Sequence, residues 1–228
     1  MYKGNKISAV IVAAGNSSRM QSSVSKQLMI LCGKTVIANT VDTFVKCGFF
    51  DEIVVVCPNG DEELYQKLLG DNLTIVCGGH ARQQSVYNGV SSVSDDCDVI
   101  AVHDGARPLA DVSDIENVVD DALHFGASTL AVPVKDTIKI IKDNVVIDTP
   151  DRDTMYAVQT PQVFYRDDYL RAYEKALANG VEFTDDCQLI ESVGGVIHVT
   201  VGHYTNIKIT TPEDIDIAEV LMKRRGNL

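Results

Sequence analysis

The sequence predicts an α/β fold, a Rossmann-like three-layer sandwich with a mostly parallel mixed sheet and a protruding β-arm. Three observations carry that expectation. Short apolar runs rich in β-branched residues alternate with segments of helical periodicity. The turns between them are short and marked by glycine. Past Lys135 the alternation stops, and two strand-like runs meet across an Asp143-Asn144 turn with no helix between them.

The first strand is expected at Ala9 to Val12, where Val10-Ile11-Val12 runs straight into Ala13-Ala14-Gly15. A helix from Val36 to about Val45 follows from Val36, Ile37, Thr40, Val41 and Phe44 at helical spacing, closed by Gly48. Ile53 to Cys57 is a strand stopped by Pro58, Glu62 to Leu69 a helix ending at Gly70, and Thr74 to Cys77 a strand ended by Gly78-Gly79. Helical character resumes at Ser85, and Val99 to Val102 is a strand leading into His103-Asp104-Gly105-Ala106-Arg107-Pro108. Ser113 to His124 is a helix, with Ser113 and Glu116 spaced as a capping box. Thr129 to Val134 is a strand. The arm covers about residues 135–156, and Met155 to Gln159 leads on to Thr160-Pro161-Gln162. Helices are expected from Asp167 to Asn179 and from Thr184. Strands are expected at Ile197 to Val201 and Thr205 to Ile209. A last helix opens at Thr211-Pro212-Glu213, with proline in the first turn followed by acids. No linker, repeat or low-complexity boundary interrupts the chain, so residues 1–228 are read as a single domain.

Composition narrows the function. The chain has 228 residues, 45% of them hydrophobic, enough for a core without staples. Six cysteines lie far apart with no C-x-x-C pair, which points to free thiols rather than bridges or zinc. The longest apolar runs are too short to span a bilayer, and no signal-peptide pattern follows Met1 to Lys6, so a cytoplasmic location without membrane association is expected. A net charge of −12 argues against nucleic-acid binding. It leaves room for a nucleotide substrate where the local field is positive. Arg19, Lys26, Arg82 and Arg107 each stand in a turn-like segment with few acids beside it.

Those cations frame the candidate site. Ligands of such sheets bind at the carboxyl ends of the strands. Three motif turns follow strand ends: Ala13 to Arg19, Gly78 to Arg82, and His103 to Arg107. The first is small, hydroxyl-rich and flanked by cations, which suits a polyphosphate. It is neither a P-loop nor a G-x-G-x-x-G fingerprint. Asp104, ending a buried strand, suits a divalent cation shared with phosphate oxygens, or else caps the next turn. No nucleophile elbow or paired histidines occur, so the chemistry reads as electrostatic.

The ordered set of motifs resembles the 2-C-methyl-D-erythritol 4-phosphate cytidylyltransferase family of the non-mevalonate isoprenoid pathway. The marks are Ala13-Ala14-Gly15 with Arg19-Met20 and Ser25-Lys26-Gln27, Gly78-Gly79 with Arg82 and Ser85-Val86, His103 to Pro108, Pro133 to Thr137, Gln159 to Gln162, Thr184-Asp185, and Asn206 to Thr210 before Pro212-Glu213-Asp214. The resemblance implies a nucleotidyltransferase that uses CTP and Mg²⁺ and releases pyrophosphate. It also implies a homodimer that exchanges its β-arms. By position, Arg19 and Lys26 would act in catalysis at the α-phosphate. Ala13, Ala14, Gly15, Gly79, Arg82, Ser85, Asp104 and Gly105 would bind the nucleotide. Arg107, Thr137, Arg152, Thr184 and Lys208 would bind the sugar-alcohol phosphate, with Asp104 serving the metal. His80 departs from the acid that some relatives carry in the second glycine turn. Two alternatives stay open: a ribitol-5-phosphate cytidylyltransferase, and a non-catalytic nucleotide-binding module on the same fold.

Overall fold

Strand β1 (Ile7–Val12) shows how the layers arise. Its alternate side chains point to opposite faces. Ile7, Ala9 and Ile11 bury on one face, and Val10 buries on the other. With both faces covered, the strand reads as a continuous apolar run. In the computed structural model, which describes residues 1–15 and 25–226, β1 is central to a seven-stranded sheet. The other strands are β4 (Glu52–Cys57), β5 (Thr74–Cys77), β6 (Val99–Asp104), β7 (Ala127–Pro133), β10 (Tyr156–Tyr165) and β11 (His198–Val201). Two short strands, β2 (Ile30–Leu31) and β3 (Lys34–Thr35), form a separate ribbon.

The sheet order is β11-β7-β10-β6-β1-β4-β5. Strand β1 pairs parallel with β4 and β6, β4 with β5, and β7 with β11. Only β10 runs antiparallel, between β6 and β7. Helices α3 (Arg82–Val90), α5 (Arg166–Ala178) and α6 (Asp186–Glu191) cover the face that carries Val10, Val54, Ile100 and Val102. Helices α1 (Val36–Cys47), α2 (Glu62–Leu69) and α4 (Val112–Phe125) cover the opposite face, with Phe44, Tyr65, Ile115 and Val118 inward. Each fully buried aliphatic or aromatic side chain contributes about 1.5–3 kcal/mol. The last helix, α7 (Glu213–Arg224), packs Ala218 and Met222 against Leu31, Leu109 and Ile209.

One close approach sets the site. A Cβ on Gly89 would fall 2.5 Å from Val10 Cγ1 and 2.7 Å from Val56 Cγ2. Helix α3 therefore lies tight on β1 and β4, with its N-terminal turn beside the carboxyl end of β1.

Several expected boundaries move. Helix α3 begins at Arg82, three residues before Ser85, and β6 runs on through Asp104. Ser113 and Glu116 form no capping box. Helix α4 starts at Val112 after Asp111, and Glu116 instead accepts a hydrogen bond from Tyr2 Oη at 3.3 Å. Asp111 does not cap either, because Arg225 Nη2 holds its carboxylate at 3.0 Å. Thr205 to Ile209 is not a strand; Ile209 N donates to Ala106 O at 2.8 Å as a loop contact. Met155 to Gln159 belongs largely to one long strand, β10, that continues to Tyr165. The hairpin β8 (Ile140–Lys142) and β9 (Val145–Asp148) forms as expected, with Asp143 and Asn144 both at positive φ. It pairs with no strand of the main sheet, and all of its residues are exposed. The six cysteines are free thiols. Among the described residues no helix is long and apolar enough to cross a membrane.

Candidate active site

The parallel strands β1, β6 and β5 end on one edge, and the three motif turns meet there. Ala13 N donates to Val56 O at 2.7 Å, Gly78 N to Cys57 O at 2.8 Å, and Gly105 N to Val12 O at 2.9 Å. The turns are thus stitched to neighbouring strand ends. Two glycines are required by space. A Cβ on Gly78 would lie 2.3 Å from Ala14 Cβ, and one on Gly105 would lie 3.1 Å from Val12 O and 3.2 Å from Ala13 Cβ.

Val12, Ala14, Gly15, Gly79, His80, Ala81, Arg82 and Ser85 line a cavity of about 270 Å³ between the first two turns. Five residues expected at the nucleotide, Ala14, Gly15, Gly79, Arg82 and Ser85, meet here. Ser85 Oγ accepts from Gly79 N at 3.0 Å and bonds Ala81 O at 3.0 Å, so α3 fixes the glycine turn. Ala13 is fully buried and Gly105 is buried behind it, so both support the wall rather than line it.

The third turn supplies charge. Asp104 is 8% exposed, and its Oδ2 accepts from Lys208 Nζ at 2.9 Å and Arg107 Nε at 3.3 Å. Burial alone would raise its pKa. Lys208, Arg107 and Arg82 outweigh that and hold the carboxyl far below the usual carboxylate range. Arg107 is itself pulled down by burial, against the pull of Asp104. Its Nη1 donates to Asn206 O at 2.8 Å, which ties the turn to the loop that carries Lys208. Arg82 is half-buried, and Asp186 and Asp104 keep its pKa raised against that desolvation. Its Nη2 pairs with Asp186 Oδ2 at 2.7 Å, and Tyr169 Oη donates to Asp186 Oδ1 at 3.2 Å. Three cations therefore converge around one ionised carboxylate, in a chain whose net charge is −12.

Lys26 opens a short 3₁₀ turn (Lys26–Leu28) and is 8% exposed. Arg19 lies outside the described residues. Thr184 is exposed and turns back on its own segment, donating from Oγ1 to Gln188 Oε1 at 3.0 Å. Thr137 and Arg152 are exposed at either end of the hairpin segment, with no hydrogen bond to the cluster among the described residues.

Several residues of the site were not singled out by sequence reasoning. Asp186 carries the ion pair of Arg82, one position past the Thr184-Asp185 motif. Gln162 Oε1 accepts from Asp186 N at 3.1 Å, and Gln83 Oε1 accepts from Phe183 N at 2.8 Å, so two buried amides hold that segment. Asn206 is fully buried and donates from Nδ2 to Gln159 Oε1 at 3.1 Å and Thr160 O at 2.9 Å. Gln162 and Asn206 stand within motifs that carry the family resemblance, but the sequence attached no role to them. His103 is fully buried, and burial lowers its pKa to about 4. A separate cluster, Asp111, Asp114 and His203, brings donor atoms within 4.8 Å of one another. His203 Nδ1 sits 2.8 Å from Asp114 Oδ2, and that hydrogen bond raises its pKa.

The fold and this cation-rich edge define an α/β nucleotidyltransferase. The model of the 2-C-methyl-D-erythritol 4-phosphate cytidylyltransferase family matches residues 7–224, and the chain belongs to that family. A relative of that name from Desulforamulus reducens is 44% identical over 227 residues, covering 96% of this chain and 97% of the relative. Another of that name, from Caldanaerobacter subterraneus, is 42% identical and covers 96% of this chain and 99% of the relative. The solved 4-diphosphocytidyl-2C-methyl-D-erythritol synthase of Anaerococcus prevotii superposes with a TM-score of 0.86 at 35% identity, covering 97% of this chain and all of that one.

Proposed function

We propose that the protein transfers the cytidylyl group of CTP to 2-C-methyl-D-erythritol 4-phosphate, giving 4-diphosphocytidyl-2-C-methyl-D-erythritol and pyrophosphate. One observation carries the site assignment: Arg107 and Lys208 pair with buried Asp104, and Arg82 stands in the wall of the cavity of Gly15 and Gly79. Family membership supplies the substrates. The cavity lies below the usual range for a drug-sized ligand, so it takes the nucleoside end and leaves the triphosphate to continue toward the cations.

The acceptor phosphate is already a nucleophile, so no side chain needs to remove a proton. The residues position two anions in line and neutralise the charge that builds at the α-phosphate, as in phosphoryl transfer generally. Lys26 and Arg19 do this at the α-phosphate. The Ala13-Ala14-Gly15 and Gly79 turns shape the wall against which the nucleotide lies, with Ser85 fixing the second turn. Arg107, Thr184 and Lys208 hold the polyol phosphate. Thr137 and Arg152 reach the site of a second copy, because the hairpin about 135–156 exchanges between protomers of a homodimer. Asp104 fits a divalent cation: it is ionised, offers hard oxygens, and Mg²⁺ commonly takes one carboxylate plus phosphates. Mg²⁺ held there would offset phosphate charge. The Asp111–Asp114–His203 cluster suits it less, since one of its three donors is an imidazole nitrogen and Mg²⁺ favours oxygen. The enzyme works in the cytoplasm as a single domain, without nucleic acid or membrane.

The test is turnover of purified protein with CTP, Mg²⁺ and each of two acceptors, methylerythritol 4-phosphate and ribitol 5-phosphate. Pyrophosphate release with the first is expected. Release with ribitol 5-phosphate alone would overturn the reading, and release with neither would favour a non-catalytic module.

A further inference from the structure

We propose that His103 is a positioning residue that holds both ends of the Asp104–Arg107 turn through its two ring nitrogens. Nε2 lies 3.1 Å from Arg107 O. A carbonyl oxygen only accepts, so Nε2 carries the proton. Nδ1 of the neutral ring must then accept, and it lies 3.0 Å from Thr160 Oγ1. That hydroxyl donates its proton to the ring and accepts Asp104 N–H at 3.0 Å. One ring thus fixes the amide of Asp104, by way of Thr160, and the carbonyl of Arg107 directly. The turn closes on itself through Arg107 N to Asp104 O at 3.0 Å. The ring has no solvent exposure and packs on Phe44, with centroids 4.8 Å apart. Fully buried, it acts on substrates through Asp104 and Arg107.

This inference rests on the roles proposed for Asp104 and Arg107. Two variants separate the two nitrogens. His103→Asn keeps an acceptor near Nδ1 but cannot reach Arg107 O. It should raise KM for methylerythritol 4-phosphate about tenfold, the size of one hydrogen bond, with KM for CTP within about twofold. His103→Gln can reach Arg107 O but offers Thr160 no acceptor. It should lower kcat about tenfold at unchanged polyol KM. Arg107→Ala is measured alongside. If it raises the polyol KM and His103→Asn does not, the proposal fails while the site reading stands. If neither raises it, both fail. Equal losses in both KM values for each variant would reduce His103 to packing and also overturn the proposal. Should the variants not fold, ¹⁵N-histidine NMR of the wild-type protein at neutral pH decides: a neutral Nε2–H tautomer is expected, and an Nδ1–H tautomer overturns the assignment.

Discussion

A single carboxylate, Asp104, organises the site, and its surroundings set what its removal does. Its pKa is depressed in the folded chain, so its contribution to stability is present above the ordinary carboxylate value of about 4 and fades as pH falls toward the folded value. Asp104→Asn leaves Lys208, Arg107 and Arg82 facing one another. It should abolish turnover, destabilise the fold by about 3 kcal/mol at pH 7, and flatten the acid limb of stability in denaturant titrations at several pH values. Lys26→Ala should cost turnover on the order of 10²-fold, as removal of one preorganised charge-stabilising donor does elsewhere; full activity in a steady-state assay would exclude the mechanism. Gly105→Ala forces a methyl group against Val12 O and Ala13 Cβ, and about 1–3 kcal/mol of lost stability is expected in thermal melts. His203 has the opposite sign to Asp104. Its pKa is raised, so its tie to Asp114 is complete below about 6.5 and is lost as pH rises through the folded value. His203→Gln should remove a step in stability that the parent shows as pH rises above about 6.5.

At the scale of elements, the hairpin shows what a sequence can and cannot declare. Asp143-Asn144 between β-branched runs is a local signal, and both residues take the positive φ that a tight turn requires. Ile141, Val145, Val146 and Ile147 are each more than half exposed, which is costly unless a second surface covers them. Replacing residues 138–149 with a Gly-Ser linker should shift the protein from dimer to monomer in analytical ultracentrifugation. Strands β4 and β5 and helix α2 were equally legible, since each rests on a short window of periodicity ended by glycine or proline. The capping box was not. The spacing of Ser113 and Glu116 was right, but distant Arg225 and Tyr2 recruit Asp111 and Glu116. The span of β10 was obscured because Thr160-Pro161 reads as a break. The site divided along the same line. Turn residues such as Gly79, Ser85 and Asp104 announce themselves locally, whereas the side chains of Asp186, Gln162 and Asn206 matter through partners 17 to 104 positions away.

For the whole molecule, the sheet order places β10 between two blocks, β5-β4-β1-β6 on one side and β7-β11 on the other. Among the described residues, no strand pairing joins those blocks except through β10. The strand comes directly after the exposed hairpin, so a cut at Asp143-Asn144 would separate it covalently from both of its neighbours. The molecule is therefore laid out as a natural split protein. The piece ending at Asp143 keeps β6 and β7, and the piece beginning at Asn144 keeps β10, the slat that fits between them. Exposed tips of this kind tolerate interruption. Co-expressed halves should assemble with β10 between β6 and β7 and β11 beside β7, and recover turnover, whereas either half made by itself should collect as aggregate, with a sheet edge left open.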